Sequence, residues 1–232
     1  MGQVTQGIVY IVYGVNAPFV PLEKSIEQIK KVCSLPITIL SSRDINIPDV
    51  DVIKINVADD LREGEYTQCF KTKLLALDKL PYYSNIIIDS DTFFLEDPAQ
   101  LISLDYDIAG CLETRWVDNY TKGKPHAPKF YFIYNSGFLI INNNSKWKAL
   151  YKRACELYEL AEKELLSPPV PTPLRHITDQ WAINYSMLFD FDITAKIFPG
   201  RWNVRRPNID KVQTPAMIHC RLYIEAQDEK PI

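Results

Sequence analysis

Two aspartates stand one residue apart, directly after three isoleucines, in the stretch NIIIDSDTFFLEDP at residues 85–98. An isoleucine run is typical of a strand buried on both faces, so Asp89 and Asp91 would emerge where that strand ends. Two carboxylates at this spacing can reach one hard cation, Mg²⁺ or Mn²⁺, which normally keeps positions for substrate oxygens and stabilises the charge on a departing diphosphate. The plain alternative is a buried strand that ends in a polar turn.

The first half of the chain alternates strands and helices. GIVYIVY (7–13), PITILSS (36–42) and VDVIKINV (50–57) are apolar runs that predict strands. Helical spacing of apolar residues predicts helices in LEKSIEQIKKVC (22–33) and TQCFKTKLLALDKL (67–80). This alternation favours a parallel sheet with crossover helices. Asp89 and Asp91 would then lie at the carboxyl end of a central strand, the edge at which such sheets bind ligands.

The second half is more mixed. It predicts strands in YDIAGCLE (106–113) and FYFIYNSGFLIINN (130–143), and helices over 146–166 and 176–188. Two late segments, ITAKIFPGRWNV (193–204) and PAMIHCRL (215–222), predict strands that return towards the sheet. One domain is the expected organisation for 232 residues of which 47% are hydrophobic.

The overall composition argues against several classes of protein. A net charge of −3 provides no basic surface for holding nucleic acid. No apolar run is long enough for a membrane span of about 20 residues. The five cysteines are scattered singly, which argues against a disulfide framework or a zinc–thiolate site and indicates a cytoplasmic protein. They are Cys33, Cys69, Cys111, Cys155 and Cys220.

Six segments, taken in order, resemble the nucleotide-sugar glycosyltransferases of the GT-A fold, and among them glycosyltransferase family eight. These segments are GIVYIVYGVNAPFVPLEKSI, FKTKLLAL, IIIDSDTFFLEDPAQL, YNSGFLIIN, TDQWAINY and MIHC. The resemblance implies a single α/β domain with a mostly parallel central sheet flanked by helices. Residues 1–110 would form its nucleotide-binding part and residues 111–232 its sugar- and acceptor-binding part. The implied reaction transfers a hexose, with retention, from a UDP-linked sugar to the hydroxyl of a glycan or another acceptor.

The same resemblance implies a metal site formed by Asp89, Asp91 and His219. A neutral imidazole binds Mn²⁺ more readily than Mg²⁺, so Mn²⁺ is the expected cofactor and Mg²⁺ the alternative. The two other histidines, His126 and His176, are expected to be structural.

Donor-binding residues are also implied by the resemblance. The candidates are Tyr13, Gly14, Asn16, Lys73, Ser90, Asn135, Ser136, Gly137 and Arg221. Family members often carry a Lys-Pro-Trp motif after the metal-binding histidine, and its lysine holds the diphosphate. This chain has HCRLYIEAQDEKPI instead, so Arg221 or the less suitably spaced Lys230 would supply that charge. Arg62 and Lys71 are weaker candidates for donor binding.

Asp179 and Gln180 would face the transferred sugar, again by resemblance. The alternative for Asp179 is ordinary capping of a helix, together with Thr178. The polar and aromatic segment 113–130 is a candidate acceptor-binding loop.

Two other functions remain open from the sequence. One is a GT-A domain that binds a nucleotide sugar or glycan without turnover. The other is a phosphatase of the haloacid dehalogenase type, whose strand-end signature is D-x-D-x-[TV]. In this chain Phe93 occupies the fifth position of that signature, where Thr or Val is required, and three predicted strands precede Asp89. The phosphatase hypothesis therefore fits the sequence less well.

Overall fold

The computed structural model describes residues 5–13, 19–56, 67–112, 134–166, 179–187, 192–205 and 212–219. Within these ranges the strands form one sheet of seven and one of three. In chain order they are β1 (Gln6–Val12), β2 (Ile37–Ser41), β3 (Asp51–Lys54), β4 (Ser84–Ile88), β5 (Thr92–Phe94), β6 (Ile108–Leu112), β7 (Tyr134–Asn142), β8 (Ala195–Ile197), β9 (Val204–Arg205) and β10 (Met217–His219).

The larger sheet has the strand order β3-β2-β1-β4-β7-β6-β8. The first four of these strands are parallel to one another, and β6 is parallel to β8. Strand β7 alone runs antiparallel to its neighbours β4 and β6. The prediction of a mostly parallel central sheet is therefore confirmed.

Helices cover both faces of this sheet. Helix α1 (Phe19–Val32) packs on the face to which Ile8 and Tyr10 of β1 point, whereas Val9 and Ile11 point to the opposite face. That opposite face is covered by α2 (Thr67–Ala76), α3 (Ser145–Leu166) and α4 (Asp179–Met187). Among the described residues, no helix has the length and apolar character needed to cross a bilayer.

Strand β4 positions the first aspartate of the site. Ile86 and Ile88 pack into the core on the α1 side and Ile87 into the core on the other side, and each is at most 1% exposed. Burying a side chain of this size stabilises the fold by about 1.5–3 kcal/mol. The strand is therefore fixed on both faces up to Ile88, immediately before Asp89.

The late strands differ from the sequence-based expectation. Only β8 joins the larger sheet, at its edge beside β6. Strand β10 instead pairs antiparallel with β5 and parallel with β9. The turn after β4 carries the chain out of the main sheet at Asp91, so the short strand β5 offers a second edge for the C-terminal strand. Strand β5 has only three residues, which are too few to predict a strand from periodicity.

Candidate active site

The turn that carries the two aspartates is anchored by hydrogen bonds. The backbone N–H of Asp89 donates to the carbonyl of Gly137 at 3.1 Å, and Thr92 Oγ1 donates to the Asp89 carbonyl at 2.9 Å. Thr92 in turn lies 3.3 Å from Ser25 Oγ, which lies 2.8 Å from the hydroxyl of Tyr10. These three hydroxyl residues are fully buried, so a chain of hydroxyls connects the turn to α1 and β1.

Strand pairing brings His219 to this turn. In the register of β5 and β10, His219 lies opposite Thr92, the residue that follows Asp91. Its Nε2 is 3.4 Å from Asp89 Oδ2 and 3.2 Å from Asp91 Oδ1. One ligand atom from each of these three side chains lies within 4.8 Å of the others. The described residues therefore contain a cluster with the donor set of a divalent cation site.

Contacts outside the site hold β10 in place. Arg201 forms an ion pair with Glu96 and donates from Nε to the Thr214 carbonyl at 2.9 Å. The Ala216 backbone accepts from Leu95 N and donates to the Arg201 carbonyl, at 2.9 and 2.8 Å. The segment before His219 is thus attached both to the end of β5 and to the turn before β9.

The electrostatics of the cluster favour an ionised Asp91. Burial acts to raise the pKa of its carboxyl, but the hydrogen bond and the charge of His219 outweigh burial, so the pKa lies below its ordinary value. The side chains of Asp89 and Asp91 are 33% and 35% exposed, whereas that of His219 is 7% exposed. Two partly open carboxylates and one buried imidazole therefore face the same point.

Gly137 of β7 lies directly against His219 and Asp89 of this cluster. A Cβ atom at this position would lie 2.3 Å from the ring carbon Cε1 of His219 and 2.6 Å from Asp89 Oδ2. Any larger residue must displace these groups. This close contact explains why glycine stands between Ser136 and Phe138.

Lys73 lies beneath the aspartates rather than in open solvent. Its Nζ donates to Asp89 Oδ1 at 2.6 Å and to the Ser136 carbonyl at 3.1 Å, and lies 3.7 Å from Asp179 Oδ2. Burial lowers the pKa of Lys73, but the charges of Asp89 and Asp179, with a smaller contribution from Tyr13, outweigh burial and raise it. Lys73 is therefore a permanently charged cation that offsets two carboxylates.

Asp179 and Gln180 begin α4 and point into the same region. Asp179 is 2% exposed, and its Oδ2 has no hydrogen-bond partner. Burial raises the pKa of this carboxyl, and the charge of Lys73 only partly opposes that effect. Gln180 Oε1 accepts from the Ser136 backbone N–H at 3.0 Å and from Asn135 Nδ2 at 3.5 Å.

Asn184 fixes α4 against β7. Its Oδ1 accepts from Tyr134 N at 2.6 Å, and its Nδ2 donates to the carbonyls of Tyr134 and Gln180 at 3.0 and 2.7 Å. This pairing sets the distance between the start of the helix and Asn135–Gly137. Asn184 was not predicted as a site residue, although its position four residues after Gln180 places both on one helical face.

The structure brings together most of the residues selected from the sequence. The cluster contains Lys73, Asp89, Asp91, Asn135, Ser136, Gly137, Asp179, Gln180 and His219. Tyr13 follows the end of β1 close to Lys73, Ser90 lies between the aspartates, and Lys71 is a half-buried residue of α2. The other selected positions lie outside the described residues: Gly14, Asn16, Arg62, segment 113–130 with His126, His176, Thr178, Arg221 and Lys230.

Comparison with known proteins identifies the fold. No protein-family model and no curated protein sequence matches the chain. Among solved structures, the galactosyltransferase LgtC, in complex with donor and acceptor sugar analogues, is similar with a TM-score of 0.62. The identity is 13%, and the match covers 91% of this chain and 86% of LgtC. The chain has the GT-A fold.

Two further structures match this GT-A fold. The glycosyltransferase GlyE of Streptococcus pneumoniae has a TM-score of 0.57 at 16% identity over 93% of this chain and 55% of GlyE. Mouse xyloside xylosyltransferase 1 has a TM-score of 0.57 at 14% identity over 93% of this chain and 97% of the mouse protein. The predicted resemblance to GT-A proteins similar to family eight is confirmed at the level of the fold.

The geometry at Gly137 makes a first prediction. Gly137→Ala should weaken Mn²⁺ binding by at least about 10-fold, because the new methyl group displaces His219 and Asp89. Overpacking should also lower the free energy of unfolding by about 1–3 kcal/mol. Mn²⁺ titration followed by electron paramagnetic resonance, together with denaturant unfolding, measures both effects.

Gly200→Ala is the matched control, because a Cβ there meets no atom within 4 Å. It should leave Mn²⁺ affinity unchanged. Wild-type affinity in Gly137→Ala would contradict the placement of Gly137 under the cluster.

Proposed function

We propose that this protein is a metal-dependent glycosyltransferase that moves a hexose from a UDP-linked sugar to an acceptor hydroxyl, with retention at the anomeric carbon. The observation that carries the proposal is the cluster of Asp89, Asp91 and His219 at the carboxyl end of the sheet in a GT-A fold. The LgtC structure, which holds donor and acceptor sugar analogues, supports the same class of substrates.

The donor set of the cluster fits a divalent cation. Carboxylate oxygens suit both Mn²⁺ and Mg²⁺, whereas the imidazole of His219 favours Mn²⁺. The lack of a side chain at Gly137 lets His219 and Asp89 lie close to the backbone of β7. When bound, the cation would act as a Lewis acid on the diphosphate of the donor and make UDP a better leaving group. The role of Asp89, Asp91 and His219 is to hold it at the end of β4.

The second half of the site would hold the sugar. Asp179 has a buried carboxylate oxygen without a hydrogen-bond partner, which suits an acceptor for a sugar hydroxyl. Gln180 is already hydrogen-bonded to the Ser136 backbone and to the Asn135 side chain, so it would orient the start of β7 towards the sugar. We assign no dedicated protein nucleophile to the reaction.

Lys73 would act through charge. Its positive charge limits the repulsion between Asp89 and Asp179, whose carboxylates both lie within 4 Å of its Nζ. Donor binding would further involve Tyr13, Gly14, Asn16 and Ser90, and Arg221 would contact the diphosphate.

The two halves of the chain would have different binding roles. We propose that residues 1–110 bind the nucleotide and that residues 111–232 bind the sugar and the acceptor, with segment 113–130 as the acceptor loop. A cytoplasmic location is proposed from the isolated cysteines, of which Cys33, Cys111 and Cys155 are free thiols.

The direct test is a panel of nucleotide sugars incubated with Mn²⁺ and no acceptor, with released nucleotide as the readout. We expect slow release of UDP from one UDP-sugar. Release of phosphate from simple phosphomonoesters would favour a phosphatase instead. Tight donor binding without any turnover, also in the presence of glycan acceptors, would favour a binding module.

Asp91→Asn should weaken Mn²⁺-dependent UDP binding by more than about 10-fold, since even groups behind metal ligands have effects of that size. The fold should persist because the side chain is partly exposed. Isothermal titration of UDP with and without Mn²⁺ measures the effect. Asp78→Asn, at an exposed carboxylate, is the control. Unchanged affinity in a folded Asp91→Asn protein would refute the metal assignment.

Asp179→Asn should reduce turnover strongly while UDP affinity changes little. Its stability should depend on pH with a defined sign. The folded-state pKa of Asp179 is raised, so its contribution to stability is full below the unfolded value of about 3.9 and is lost as pH rises through the folded value. The variant should therefore gain stability relative to wild type as pH rises from 4 to 8.

Denaturant unfolding across that pH range and donor turnover on the same preparations test both effects. Asp105→Asn, at an exposed carboxylate, should show neither change. A fully active Asp179→Asn protein with a pH-independent stability difference would return Asp179 to a role in helix capping alone.

A further inference from the structure

The two ring nitrogens of His219 face different partners. Nε2 faces Asp89 and Asp91, at 3.4 and 3.2 Å. Nδ1 lies 3.2 Å from Oδ1 of Asn203. We propose that Asn203 is a positioning residue that fixes the tautomer and the ring orientation of His219 for cation binding. This inference rests on the metal site of the proposed function.

The chemistry of the amide oxygen carries the inference. A carbonyl oxygen can only accept a hydrogen bond, so Asn203 Oδ1 requires the proton of the neutral imidazole to be on Nδ1. Charged His219 carries a proton on both nitrogens and donates from Nε2 to Asp91. In neutral His219, Asn203 retains the proton on Nδ1, and the lone pair is on Nε2, the nitrogen that faces the two carboxylates. Without Asn203, the carboxylates of Asp89 and Asp91 would favour the opposite tautomer, in which Nε2 carries the proton and cannot bind a metal.

The backbone holds Asn203 where this contact is made. Its N–H donates to the Gly200 carbonyl at 3.1 Å. The preceding residue, Trp202, is 3% exposed and stacks on Phe138 with ring centroids 6.4 Å apart. The following residue, Val204, is 2% exposed and pairs with Ile218.

The pairing of β9 with β10 connects Asn203 to His219, the residue that it would orient. Because β9 follows Asn203 directly and pairs with β10, the same ladder fixes both ends of the Asn203–His219 contact. Phe138, on which Trp202 stacks, follows Gly137 in β7. Asn203 is therefore held in position relative to Gly137 as well as to His219.

The test compares Asn203→Leu with Asn203→Asp. Leucine removes the acceptor at similar size, whereas aspartate keeps an oxygen that accepts from Nδ1–H. Asn143→Leu is the control, because Asn143 is partly buried just beyond the other end of β7, about 20 Å along the strand from Gly137.

Two readouts are needed. The first is the tautomer of neutral His219 in metal-free protein, from the ¹⁵N chemical shifts of its ring. The chain has three histidines, so His219→Ala identifies the signal. The second is the affinity for Mn²⁺ alone, from the electron paramagnetic resonance signal of the free ion.

We expect the Nδ1–H tautomer in wild type, in Asn203→Asp and in Asn143→Leu. Asn203→Leu should lose that preference and bind Mn²⁺ about 10- to 100-fold more weakly. An unchanged tautomer and affinity in Asn203→Leu would overturn the role of Asn203 while leaving the metal site intact. Failure of wild-type protein to bind Mn²⁺ would overturn the metal site itself, and an Nε2–H tautomer in wild type would overturn the positioning role directly.

Discussion

The antiparallel pairing of β5 with β10 is the constraint on which the site depends. Strand β4 presents Asp89 and Asp91, and the third side chain of the cluster comes from a distant part of the chain. Because β5 begins at Thr92, directly after the second aspartate, a strand that pairs with it in this register places His219 beside the carboxylates. The ion pair of Arg201 with Glu96 and the backbone contacts of Ala216 fix that register. The three-stranded sheet therefore adds His219 to the two aspartates at the end of β4.

A second constraint is the buried charge balance. Asp89 and Asp179 approach the same point, and Asp179 is almost fully buried. Lys73 lies between them and makes two ion pairs, at 2.6 and 3.7 Å. An isolated buried carboxylate is costly, so the lysine allows two anionic groups to share a small volume. Oδ2 of Asp179 has the ion pair with Lys73 but no hydrogen bond, so it remains a polar atom that a sugar hydroxyl could satisfy.

Much of the larger sheet could be predicted from the sequence because its strands are apolar runs separated by helices with helical spacing. The strand-end position of Asp89 and Asp91 followed from the three isoleucines before them. The short strand β5 and its pairing with β10 could not be predicted, because three residues carry no period and pairing is a property of the whole fold. Similarly, Lys71 and Lys73 look alike in an α2 sequence, and only tertiary packing buries Lys73 under Asp89.

Residues that contact the cluster from behind were also missed by the sequence-based predictions. Thr92 and Ser25 are single hydroxyl residues in unrelated elements, and their contact appears only when α1 packs beside β5. Asn203 stands between a tryptophan and a valine, so its local sequence indicates no partner. By contrast, His219 was selected through the ordered resemblance of the motifs, and the geometry brings it to the predicted aspartates.

The central claim is that one cation binds Asp89, Asp91 and His219 together. The most direct measurement is pulsed electron paramagnetic resonance of Mn²⁺ bound to the wild-type protein, which detects the hyperfine coupling of a directly coordinated ¹⁴N nucleus. We expect the coupling of one imidazole nitrogen, and we expect it to disappear in His219→Ala while weaker Mn²⁺ binding through the carboxylates persists. Mn²⁺ bound to wild-type protein without any ¹⁴N coupling, or with a coupling that survives in His219→Ala, would contradict the claim.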